Sequence, residues 1–182
     1  MRRKTFDRLV TMGGLVVMVV LIAAGSLLAW GGSYLSGQVH NQLAEQKIYF
    51  PPKGSTALAS PKIGPYLDPY AGQQLTNGQQ AEVWADHFIG VHVTEIDHGL
   101  TYAQASEQAL AHPNNKELAA KVQVLFQGQT LRGLLLSAYA FWQMGQIAGD
   151  AALAAFCAAG LMLVLVLAGL WHGRKVSEAA EL

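Results

Sequence analysis

The chain has 182 residues, of which 52% are apolar and only 13% charged, and its 12 Lys/Arg balance 12 Asp/Glu to a formal net charge of zero. That balance gives no sign of the basic surface a polyphosphate needs, so nucleic acid is not an expected partner. One cysteine, Cys157, rules out an intramolecular disulfide or a cysteine metal cluster, and among alanines it reads as a small packing residue.

Residues 1–8 carry Arg2, Arg3, Lys4 and Arg8, and residues 9–30 are an uncharged apolar run. At about 1.5 Å per residue such a run crosses roughly 30 Å of hydrocarbon. The small residues Ala23-Ala24-Gly25 resemble a signal-peptide cleavage site, and cleavage there would leave one span. The run continues through Trp30, which suits an uncleaved anchor better. Residues 31–46 are expected to extend this helix outwards, with Tyr34, Leu35, Val39 and Leu43 on one stripe, although Gly31, Gly32 and Gly37 weaken it. Residues 48–70 contain Pro51, Pro52, Pro61, Pro65 and Pro69 and are expected to form an extended strap. Its aromatics Tyr49, Phe50, Tyr66 and Tyr70 predict that it lies against a helical body.

Residues 79–96 are free of proline and predict a helix capped by Thr76 or Asn77. Thr101 with Gln104 forms a capping box for a short helix ending at His112-Pro113, and Asn114 with Glu117 forms a second one. That third helix is expected from Lys116 to about Phe126, with Gly128 marking a break. Beyond Arg132 the chain is nearly all apolar or small as far as Trp171, far more than one span needs. The second span is placed at residues 150–171, and residues 134–148 are expected to project outwards as an apolar helix that something must cover. Residues 172–182 follow with Arg174 and Lys175. Small residues at four-residue spacing, Ala151, Ala155 and Ala159, with Ala154 and Ala158 as a second row, are the expected helix-packing face. Gly13, Gly14 and Gly25 offer the same on the first span.

Basic residues flank the outer sequence ends of both runs and are absent from their inner flanks. By the positive-inside bias both termini are cytoplasmic, and residues 31–149 form an extracytoplasmic domain of a cytoplasmic (inner) membrane protein. The expected fold is therefore all-α: two antiparallel transmembrane helices with an inserted helical domain and a proline-rich strap.

Chemistry-bearing side chains cluster at Glu82, Asp86, His87, His92, Glu95, Asp97 and His98. Imidazole and carboxylate are the usual zinc, iron or manganese ligands, which makes Asp86, His87, His92, Glu95 and His98 the weak metal candidates. Their spacing argues against a shared ion. His87 and His92 are five apart, about 140° round a helix, and the steps of three from His92 to Glu95 to His98 drift about 60° each. There is no HExxH motif, no phosphate loop and no nucleophile in a recognisable setting, so no catalytic residue and no cofactor is expected. Arg132, the sole basic residue in a long apolar neighbourhood, is expected to pair with a carboxylate.

Several blocks carry a resemblance: Ile48-Tyr49-Phe50-Pro51-Pro52-Lys53-Gly54, Gly64-Pro65-Tyr66-Leu67, Ala71-Gly72-Gln73-Gln74-Leu75, Ala85-Asp86-His87-Phe88-Ile89, and Leu125-Phe126-Gln127-Gly128-Gln129-Thr130-Leu131-Arg132-Gly133-Leu134-Leu135-Leu136. Together they resemble a group of small two-span membrane proteins from actinobacteria, over nearly the whole chain. Some members are labelled as aromatic ring-opening dioxygenases. Such enzymes hold non-haem iron between converging His and carboxylate ligands, and the spacing here offers no comparable set. The resemblance implies location and lineage and transfers no catalytic residue.

The functional expectation is a non-enzymatic scaffold or accessory subunit that presents its outer domain to membrane lipids, to a larger membrane protein complex or to further copies of itself. Tyr139, Phe141, Trp142 and Met144 are the expected contact residues, because aromatics beside small helix faces make good anchors. The alternatives are an extracytoplasmic metal-dependent enzyme or sensor and an oligomeric transporter component. Two spans without ionisable residues in their interiors make a poor ion path.

Overall fold

The computed structural model describes residues 3–96 and 99–175. It is mostly helical, with no strand among the described residues. Two long helices dominate: α1, Arg3–Glu45, and α6, Lys116–Lys175. Both are long and apolar enough to cross a membrane. Their extent follows from proline placement. All six prolines fall between Pro51 and Pro113, so nothing interrupts the intrahelical hydrogen bonds on either side.

Between them lie α2, Gly64–Leu67, α3, Gly78–Val83, a π-helical turn at Trp84–Ile89, α4, Gly90–Ile96, and α5, Tyr102–Ala111. By its own contacts the chain divides into two compact units, one of residues up to Tyr34 together with Gly145 onwards, the other Leu35–Met144.

In the first unit α1 and α6 run antiparallel. Thr11 meets Gly169, Gly14 meets Val166, Gly25 meets Phe156, and Gly32 meets Gly145 and Gly149. On α6 the buried positions are Gly145, Ala152, Ala159 and Val166, a strict seven-residue repeat. Asp7, Thr11, Gly14, Met18, Leu21 and Gly25 of α1, the least exposed residues of that stretch, alternate in steps of four and three. This is a heptad seam in which the backbones approach most closely at its glycines, where little stands between them.

The expected row of Ala151, Ala155 and Ala159 is not the seam itself. Ala159 is buried, Ala155 half-buried, and Ala151, Ala154 and Ala158 are exposed. Four-residue steps turn about 40° away from a fixed face each time, whereas a heptad drifts only about 20°. Gly14 and Gly25 face α6, and Gly13 faces open space.

The second unit has its own core. Phe50, Leu43, Leu67 and Leu75 are fully buried in it, with Ala81, Ala85 and Leu135 beside them. Helix α1 ends at Glu45, Lys47 takes a positive φ of 53°, and the Ala44 carbonyl accepts from both the Lys47 amide at 3.1 Å and Gln74 Nε2 at 2.7 Å. The segment that follows is punctuated by turns and closes on itself. The Phe50 amide donates to the Gln73 carbonyl at 2.8 Å and the Leu75 amide to the Ile48 carbonyl at 2.9 Å. Phe50 packs edge-on to Trp84, ring centroids 5.1 Å apart.

Helix starts follow the expected chemistry with one shift. Asn77 Oδ1 accepts from the Gln80 amide at 2.9 Å, and Thr101 and Gln104 form a complete capping box. The cap of α6 is Asn115 rather than Asn114: its Oδ1 accepts from the Leu118 amide at 3.1 Å. The helix does not stop near Phe126 either. Gly128 sits mid-helix because a Cβ there would strike Val93 of α4, so this glycine makes room for a neighbour instead of breaking the helix. Val93, Ala105 and Leu125 form a second small core at this level.

Candidate functional site

The π-helical turn at Trp84–Ile89 is the irregular element around which the second unit's polar and apolar features gather. Its wide closure is visible in the Gly90 amide, which donates to Ala85 five residues back. Such turns are rare and recur at functional sites. Here the wider turn lets residues four apart, Ala81, Ala85, Ile89 and Val93, keep facing inward where a regular helix would rotate them away. Ala81 and Ala85 are wholly buried and Val93 nearly so.

Asp86 leaves this turn on the polar side. Its Oδ1 accepts from Arg132 Nη2 at 2.8 Å and from Nε at 3.3 Å, a forked contact onto one oxygen that supplies the carboxylate expected for Arg132. Both side chains are 37% exposed, so water screens the pair. Lys62, Thr94 and Gln129 border the same shallow pocket.

The other candidate ligands point to separate partners. His87 stacks flat on Tyr66, centroids 3.5 Å apart and planes 3° from parallel. His92 donates through Nδ1 to the Phe88 carbonyl at 2.7 Å, and Glu95 meets Lys62 at 3.5 Å. His98 lies outside the described residues. Among the described residues no three His, Cys, Asp or Glu side chains come together as a metal site.

An apolar groove of about 470 Å³ opens on the opposite side of the turn. Leu35, Val39 and Leu43 of α1 form one wall, and Leu131, Leu134 and Phe141 of α6 the other, with Trp84 and Ile89 between them. Polar groups enter only as uncharged ones: Ser137 and the carboxamides of Gln38, Gln42 and Gln46. Gln38 and Gln42 lie four apart on α1, Gln46 follows just past its end, and the three line one edge. Among the described residues, no side chain lining the groove is ionisable.

The four expected contact residues, three aromatics and a methionine, divide. Trp142 is half-buried against Gly78, where any Cβ would collide with it, and joins the core. Tyr139 is half-buried beside it, ring centroids 6.3 Å apart. Phe141 and Met144 stay exposed, and only Phe141 lines the groove. Sequence reading missed the groove's glutamine edge and Trp84. The regular spacing of Gln38, Gln42 and Gln46 opposite an apolar stripe was the available signal.

No family model, curated protein or solved structure matches the chain. The resemblance to two-span actinobacterial proteins thus stays an expectation about lineage, and function rests on the geometry.

Proposed function

We propose that this is an integral protein of the cytoplasmic membrane with two antiparallel spans. Both termini are cytoplasmic, and the domain inserted between the spans, bound up by its proline-rich strap, is extracytoplasmic. It acts without catalysis, as a scaffold or accessory subunit that presents this domain to a partner membrane protein or to lipid.

One observation carries the reading. In the first unit glycine and alanine stand between the helices with Met18, Leu21, Phe156 and Val166, while many large apolar side chains face outward: Val16 is 60% exposed, Val20 59%, Leu161 64% and Val164 62%. Water disfavours so continuous an apolar exterior, and hydrocarbon accepts it. Arg174 and Lys175 end α6, with Lys175 over the Trp171 ring at 3.7 Å, an arrangement suited to the inner interface. The non-catalytic role is supported by the side chains themselves. Asp86, His87, His92 and Glu95 are each engaged with a different neighbour.

Protease added to intact spheroplasts tests the topology. Cleavage between residues 46 and 77, with resistance of the chain to alkaline carbonate extraction, is the expected result. Sparing of that segment, or release by carbonate, refutes the reading.

A further inference from the structure

We infer that the groove between α1 and α6 in the second unit holds the alkyl chain of a lipid whose polar group is uncharged. The inference rests on the lipid branch of the proposed function and names its site.

Size admits a small apolar ligand. The groove follows α1 from Leu35 to Leu43, which at 1.5 Å per residue is about 12 Å, and continues past the helix end to Gln46 and Ile48. One hydrocarbon chain fits, and the volume lies within the range of small-molecule sites, roughly 300–1,000 Å³.

Chemistry selects the class. A carboxylate or phosphate in the groove would find no cation, because every lining residue is neutral. Esters and hydroxyls would find the amides of Gln38, Gln42 and Gln46 and the Ser137 hydroxyl, which donate and accept without charge. The walls are apolar and remain uncovered: Leu131 is 53% exposed, Leu134 64% and Phe141 54%. An acyl chain lying between them removes that surface from water, while the glutamine edge receives a glycerol-type head.

The test uses the full chain in phosphatidylcholine nanodiscs with a monoacylglycerol carrying a diazirine in its chain. After irradiation, adducts are mapped by mass spectrometry. The expected adducts fall on residues 35–46 and 131–141, and excess unlabelled monoacylglycerol removes them. They are also lost in Leu134→Trp, whose indole fills the groove mouth from an exposed position, while labelling of residues 9–30 and 150–171 persists. Groove labelling that survives both competitor and Leu134→Trp, or labelling confined to the spans, overturns the inference. Absence of labelling on the spans themselves would instead count against the membrane reading. Should Leu134→Trp fail to fold, the competition arm on the unaltered chain still decides.

Discussion

Adjacent glycines in α1 provide a test of the seam in which the sign of the effect matters more than its size. A Cβ on Gly32 would lie 2.7 Å from the Gly145 carbonyl oxygen and 3.2 Å from the Gly149 amide nitrogen, both backbone atoms that no rotamer change can move. A comfortable carbon-to-oxygen approach is about 3.3 Å, so the helices must part by about 0.6 Å at this point. Overpacking of this kind costs about 1–3 kcal/mol, against which alanine returns about 1 kcal/mol of helix propensity. Gly31, one residue earlier, has nothing within 4 Å, so Gly31→Ala keeps the propensity gain without the collision. Gly32→Ala is therefore expected to destabilise the hairpin by about 1 kcal/mol and Gly31→Ala to stabilise it by about as much. The difference of about 2 kcal/mol is roughly thirtyfold in an equilibrium constant. Unfolding in maltoside micelles by rising mole fractions of dodecyl sulfate, followed by tryptophan fluorescence, measures both. Equal shifts for the two variants, or greater stability in Gly32→Ala, would refute the seam.

Leu135→Ala, at a position 5% exposed, should lower stability by about 2–5 kcal/mol, whereas Leu134→Ala, at 64% exposed, should leave the melting temperature nearly unchanged. Thermal unfolding by circular dichroism distinguishes these neighbours, and similar losses would contradict the assignment of core and groove faces. A double-mutant cycle on Arg132→Gln and Asp86→Asn should return a coupling of about 0.5–1 kcal/mol, small because both groups are partly solvated and weaker still at high salt. No measurable coupling at low salt would mean the forked contact contributes nothing. Gly128→Ala should destabilise the second unit by about 1 kcal/mol in the same melting assay, since Val93 is stiff and buried, and a stabilised variant would show that Val93 yields.

Local chemistry was legible along the chain wherever a few neighbouring residues decide the outcome. Thr101 and Gln104 announce their capping box, and the proline-free ends announce the two long helices. Reading faltered where tertiary packing overrides a local cue. Gly128 looked like a helix stop because glycine lowers helix propensity, yet its missing side chain is what Val93 requires. Ala151, Ala155 and Ala159 looked like one face because four residues are nearly one turn, yet pairing with α1 selects the heptad through Ala152 and Ala159. The π-helical turn had no sequence signature at all. It depends on how Ala81, Ala85 and Val93 must point once their neighbours are in place.

The long apolar stretch after Arg132 posed the question of what covers it, and the answer differs from one residue to the next. Leu135 is buried in the core of the second unit, with Leu136, Ala138 and Trp142 packed against that core, so this side is covered by the chain itself. Leu131, Leu134 and Phe141 turn away from that core and line the groove. A helix needs only one stripe of apolar residues to fold against a core. The second stripe contributes nothing to that packing, and leucine and phenylalanine there, beside a row of glutamines, are better matched to a bound molecule than to stability. Function in this unit is accordingly sought on the side where the fold has no use for the side chains it exposes.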